Sequence, residues 1–156
     1  MKPGLLDVNF LIALLDPVHI HHDEAHEWYA ANGHFGWATC PVTVNGCVRI
    51  LSHPAYPSIS ARPEQVVNSL RQMCLSTAHR FWPDTTDLLN ADRFRPELMG
   101  NAKMITDVCL LALARTNGGR LITFDRRIPF RAVVGAVPED ICMVGGPPVT
   151  GSSENR

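Results

Sequence analysis

The five cysteines, Cys40, Cys47, Cys74, Cys109 and Cys142, form no C-x-x-C pair and are odd in number. No zinc site or disulfide framework follows from such spacing, and they read as reduced, mostly core thiols. No apolar run approaches the roughly 18–20 residues needed to cross a bilayer. Residues 5–15 are apolar, but Asp7 and Asn9 interrupt them, so no secretory signal is expected and the cytoplasm is the expected setting. An excess of either charge is also missing. The formal net charge is -1, so no global basic field advertises nucleic-acid binding, although a local basic rim stays open. Thr43, Ser52 and Ser69 lack a His and Asp at recognisable positions, which argues against serine-hydrolase chemistry.

What is present is a globular composition: 156 residues, 46% hydrophobic and 19% charged. That length suits one domain with a sizeable core. A strand is expected over residues 2–6 and a helix over 10–15, ended by Asp16-Pro17. A helix over 23–31 closes at Asn32-Gly33, and a strand covers 35–40. Pro41 opens the next helix, with Val44, Cys47, Val48 and Leu51 at helical spacing. Residues 54–62 read as a loop, 63–74 as a helix and 79–82 as a strand. A short helix is expected at 86–94 and a polar connection at 96–103. A helix at 108–116 follows, with Thr106 as its N-cap. Strands at 120–124 and 141–144 complete the chain. This alternation predicts an α/β fold, a three-layer α/β/α sandwich with a mainly parallel sheet, as a single domain over 1–144. Residues 145–156, rich in Gly, Pro and Ser, are expected to be a flexible tail.

Three aspartates interrupt the most apolar stretches. Asp7 follows Leu5-Leu6, Asp125 follows Ile122-Thr123-Phe124, and Asp107 lies between Thr106 and Val108. Each alone has a structural explanation: Asp7 can cap a helix, Asp107 can face a helix N-terminus, and Asp125 can form a turn. Together, beside core-forming segments, they favour one shared site. Ligands of parallel α/β sheets bind beyond the strands' carboxyl ends, where Asp7 and Asp125 should lie. Clustered acids repel one another, which raises their pKa or recruits a hard divalent cation such as Mg²⁺ or Mn²⁺.

Four ordered stretches carry a family resemblance: 5–14 (LLDVNFLIAL), 40–54 (CPVTVNGCVRILSHP), 106–114 (TDVCLLALA) and 121–127 (LITFDRR). The chain resembles PIN-domain ribonucleases, specifically the VapC-type toxins of bacterial toxin–antitoxin pairs. The resemblance implies a divalent-metal-dependent endoribonuclease in which Asp7, Asp107 and Asp125 form the acidic Mg²⁺ or Mn²⁺ site. Asn9 and Thr123 would support it. It also implies an RNA substrate, a cognate antitoxin that covers the site, and a homodimer.

The chain departs from that pattern at Val44, where such domains usually carry an acid or its amide. Val44 cannot ligate a metal, which keeps open a weakened or non-catalytic protein that binds RNA or antitoxin. Arg126, Arg127 and Arg131 form a basic patch beside Asp125, balanced between solvated charge and RNA phosphate contact. Arg49 is a further RNA-contact candidate. His19, His21, His22 and His26 look metal-like, but Asp23 stands where an H-E-x-x-H motif needs Glu. Capping is the favoured reading there, and a zinc or nickel site the minority one.

Overall fold

The computed structural model describes residues 1–146. Its strands are β1 (Gly4–Leu6), β2 (Trp37–Thr39), β3 (His79–Phe81), β4 (Arg120–Thr123) and β5 (Ile141–Met143). Its helices are α1 (Val8–Leu15), α2 (His22–Asn32), α3 (Pro41–Leu51), α4 (Pro63–Met73) and α5 (Ile105–Thr116). All five strands run parallel in the order β3-β2-β1-β4-β5. The chain builds outward from β1 through β2 to β3, then crosses over to place β4 on the other side of β1. The sheet therefore reverses its winding between β1 and β4, and a crevice opens there at the carboxyl ends.

The three central strands, though short, hold because both their faces are buried. Successive side chains point to opposite faces. Leu5, Ala38 and Leu121 join one core with Val108, Leu111 and Ala114 of α5. Leu6, Trp37 and Ile122 join the other, with Phe10 and Leu11 of α1, Cys47 of α3 and Leu70 of α4. Each fully buried leucine contributes about 1.5–3 kcal/mol by leaving water. Gly119 lets the chain enter β4 tightly: a Cβ there would lie 2.6 Å from both the Pro3 carbonyl and the Trp82 ring.

Two local expectations differ from the structure. Residues 86–94 form turns rather than a helix. The side chains of Asp84, Asp87 and Asn90 each accept from the backbone N–H two residues on, and such Asx turns compete with a helix for the same groups. Thr106 is not an N-cap either. A 3₁₀ turn at Ala102–Met104 runs straight into α5, and Asn101 caps that turn by accepting from the Lys103 N–H at 3.0 Å. The connection expected at 96–103 thus contains two 3₁₀ turns, the first at Pro96–Leu98. Residues 147–156 of the expected flexible tail lie outside the described residues. Among the described residues no helix is long and apolar enough to cross a membrane.

Candidate active site

α1 begins one residue after β1 because Asp7 is its N-cap. Asp7 Oδ1 accepts from the Val8 N–H at 2.7 Å. This bond also fixes the carboxylate at the crevice between β1 and β4. Its second oxygen, Oδ2, accepts from the Thr123 hydroxyl at 2.8 Å. Thr123 is the last residue of β4, and its hydroxyl oxygen accepts from the Asp125 N–H at 3.0 Å. Asp125 in turn accepts from the Arg127 N–H at 2.8 Å, an Asx turn that holds its carboxylate at the exposed rim. The capping and turn duties of these acids therefore coexist with a shared location.

Asp7, Asp107 and Asp125 line one cavity of about 580 Å³. Burial pushes the Asp7 carboxyl up, against the lowering effect of its Thr123 and Val8 hydrogen bonds, and Asp125 adds repulsion. Asp107, in the first turn of α5, is pushed up to about 7, first by burial and then by Asp7 and Asp125. Asp140 at the opposite rim is the contrast. Its side chain is nearly as hidden from solvent as that of Asp7, yet its carboxyl sits below its ordinary value. Burial raises it, but the Val137 N–H, Arg115 and Lys2 outweigh that effect. At Asp140 these contacts, two of them from cations, outweigh burial, whereas at Asp7 and Asp107 burial and like charge prevail. Among the described residues none of the three cavity acids forms an ion pair.

An all-oxygen set of uncompensated acids suits a hard divalent cation. No three His, Cys, Asp or Glu side chains among the described residues are drawn together as a ready-made cage. A cation held here would therefore keep part of its water shell, as Mg²⁺ commonly does. The histidines are engaged elsewhere. His22 Nδ1 meets the Ala13 carbonyl at 2.7 Å and His26 Nε2 the Leu14 carbonyl at 2.9 Å. They cap the last turn of α1, and no three His, Cys, Asp or Glu side chains gather around them among the described residues.

The rest of the cavity wall comes from α3 and the segment before α5. Val42, Asn45, Gly46 and Arg49 line it, which is one helical face at i, i+3, i+4 and i+7. Val44 lies off that face and joins the apolar cluster beneath α1. Val44 thus packs against apolar residues, and the α3 part of the cavity wall carries the Asn45 amide and no carboxylate. Asn9 and Arg49 line the cavity, while Arg126 and Arg127 line a neighbouring one. Lys103 and Asn45 also line the acidic cavity and went unnoticed in the sequence. Helical spacing from Arg49 would have found Asn45. Nothing local signals Lys103, which reaches the cavity through the 3₁₀ turn.

The PIN domain family model matches residues 4–135. The chain is 39% identical over 141 residues to Ribonuclease VapC44 of Mycobacterium tuberculosis, covering 88% of this chain and 96% of that protein. It is 44% identical over 125 residues to Ribonuclease VapC38 of the same species, covering 78% and 84%. The crystal structure of Mycobacterium tuberculosis VapC20, a sarcin-ricin loop cleaving toxin, aligns over 85% of this chain and 98% of that one. Its TM-score is 0.55 at 16% identity, a likeness of fold.

Proposed function

The chain belongs to the PIN-domain family, and from that premise we propose that it is a VapC-type toxin cutting RNA with the help of a divalent cation. The observation that carries this reading is the set of three acids on one cavity with no cationic partner among the described residues. Relatives named ribonucleases at 39–44% identity support the reaction class.

In this reading Asp7, Asp107 and Asp125 hold Mg²⁺ or Mn²⁺. When bound, such an ion supplies a Lewis acid and lowers the pKa of water at neutral pH. The chain's own residues do the rest. Thr123 keeps one Asp7 oxygen oriented and ties it to the Asp125 backbone. Arg49 and Lys103 bring positive charge to a cavity that would otherwise repel a phosphodiester. The Asn9 and Asn45 amides on the same wall can orient water or a ribose hydroxyl.

The partners proposed with this activity are RNA, a cognate antitoxin that covers the cavity, and a second copy of the chain. The setting proposed is the cytoplasm, with one PIN-like domain over 1–144. The decisive experiment is cleavage of a mixed RNA pool with Mn²⁺, with EDTA, and by Asp7→Asn. Cleavage in Mn²⁺ alone, lost in the variant, is expected. Equal cleavage in EDTA would overturn the metal-dependent reading.

A further inference from the structure

A second cavity, of about 530 Å³, adjoins the acidic one. Asn9 and Asp125 line both, so the two are continuous along one rim. His19, Ile20, His21, Phe124, Arg126 and Arg127 form the rest of its wall. Its volume lies in the range of pockets that enclose a small molecule's rings, roughly 300–1,000 Å³.

The wall is the end of a ring series. Phe10, fully buried, stacks on Phe124 with centroids 5.1 Å apart at 19°. Phe124 stacks on His21 at 4.4 Å and 16°, and His19 lies 5.8 Å from His21. The innermost ring belongs to the core, so the outer rings rest on a fixed base. Beside them Ile20 is 87% exposed, an apolar side chain held out at the lip.

Hydrogen bonding fixes what the two imidazoles offer. His19 Nδ1 accepts from the His21 N–H at 3.1 Å, so neutral His19 carries its proton on Nε2, a donor. His21 Nδ1 meets Glu24 Oε2 at 2.6 Å and donates to it, so neutral His21 has an Nε2 acceptor. In their neutral forms the two rings thus set one donor and one acceptor edge beside the apolar lip. Arg126 and Arg127 are exposed at the same wall. Arg126 donates to the Gly145 carbonyl at 3.1 Å, which steadies its guanidinium.

We propose that this second cavity is a base-binding subsite, taking the nucleobase of a residue next to the cleaved bond of a single-stranded RNA. The proposal rests on the ribonuclease reading of the acidic cavity. The base continues the ring series over His19, Ile20 and His21, and the adjoining phosphate faces Arg126 and Arg127. Stacking of this kind accepts any base face, while the donor and acceptor edges discriminate among bases. The subsite is therefore a specificity determinant for where the strand is cut.

The test measures binding apart from cleavage. The affinity of the full chain, in EDTA and low salt, is measured for oligo(A), oligo(C), oligo(G) and oligo(U) octaribonucleotides and for an abasic octamer of the same backbone. Base-bearing strands should bind about ten-fold or more tighter than the abasic strand, with unequal affinities among the four. His19→Ala should erase most of that difference, and Arg127→Ala should weaken all five strands alike. Ile20→Ser is the control against misfolding, since its side chain projects into solvent; it too should narrow the difference. Equal binding of abasic and base-bearing strands overturns the subsite, as does a difference unchanged in both His19→Ala and Ile20→Ser. Cleavage in Mn²⁺ is scored separately. Base-dependent binding without cleavage upholds the subsite and defeats the nuclease reading, and cleavage without base-dependent binding does the reverse.

Discussion

Thr123 and Asp7, 116 positions apart in the chain, are joined by a buried hydrogen bond of 2.8 Å. The same hydroxyl oxygen accepts from the Asp125 N–H. One side chain therefore sets the orientation of one acid and the backbone position of another. Thr123→Val keeps the shape and removes the donor. RNA cleavage by this variant should fall about 10–100-fold, the usual loss when a group that orients a metal ligand is removed. Thr123→Ser should retain most activity. A Mn²⁺ titration of kcat/KM checks this, and an unchanged Thr123→Val enzyme would show the bond to be structural only.

Asp7 both caps α1 and faces the cavity, and two substitutions separate these duties. Asn is as good an N-cap as Asp, whereas Ala costs about 1 kcal/mol. Asp7→Asn should abolish cleavage with little effect on cap stability, and Asp7→Ala should abolish it and lower Tm as well. Thermal melts beside an RNA cleavage assay distinguish them.

Asp107 makes the metal-free protein less stable as it ionises. Its folded pKa of about 7 lies well above the ordinary aspartate value of 3.8. The native state therefore holds a proton that the unfolded chain has released, and stability should decline as pH rises from about 4 to about 7. Asp107→Asn should flatten that decline in EDTA. Wild-type protein with Mn²⁺ at 100 times its Kd should gain about 2.7 kcal/mol, and the variant should gain less. Melting curves against pH, with and without Mn²⁺, read both effects.

Asp16 titrates with the opposite sign. Burial raises its carboxyl, but bonds from the Ser58 and Tyr56 hydroxyls and the Val18 N–H outweigh this and hold it below its ordinary value. Its contribution is complete above the unfolded pKa and is lost as pH falls through the lower folded one. Tyr56→Phe should lower stability by about 1–2 kcal/mol at neutral pH, with the deficit shrinking in acid. Urea titrations at pH 7 and pH 3 measure this.

Val44→Glu should not increase cleavage. The position is half-buried among apolar residues, so a carboxylate there should cost on the order of 1 kcal/mol in stability. Asn45→Asp places an acid on the cavity wall instead. Greater activity or Mn²⁺ affinity in Val44→Glu than in Asn45→Asp would contradict the orientation of α3.

The strand–helix alternation was legible because β1, β2 and β4 are short apolar runs ending in polar residues, and Pro41 and Pro63 mark helix starts. The location of Asp7 and Asp125 followed from strand polarity alone. Residues 86–94 were not legible. Their apolar side chains suggest a short helix, but closely spaced Asp and Asn side chains capture the backbone first. Lys103 was hidden for the same reason, since its place depends on a turn capped by Asn101.

The parallel sheet divides the labour of the molecule between two ends. At the amino ends Asp140, Arg115 and Lys2 neutralise one another, and Gly36 and Gly118 take positive φ in turns that lead into strands. At the carboxyl ends stand the three acids that form no ion pair among the described residues. Variation should therefore be heard in different voices: at the first end as yield and solubility, at the second as what is cut. A peptide tag inserted between the exposed Asn117 and Gly118 would sit at the far end from the acids, a handle for following the protein while it works.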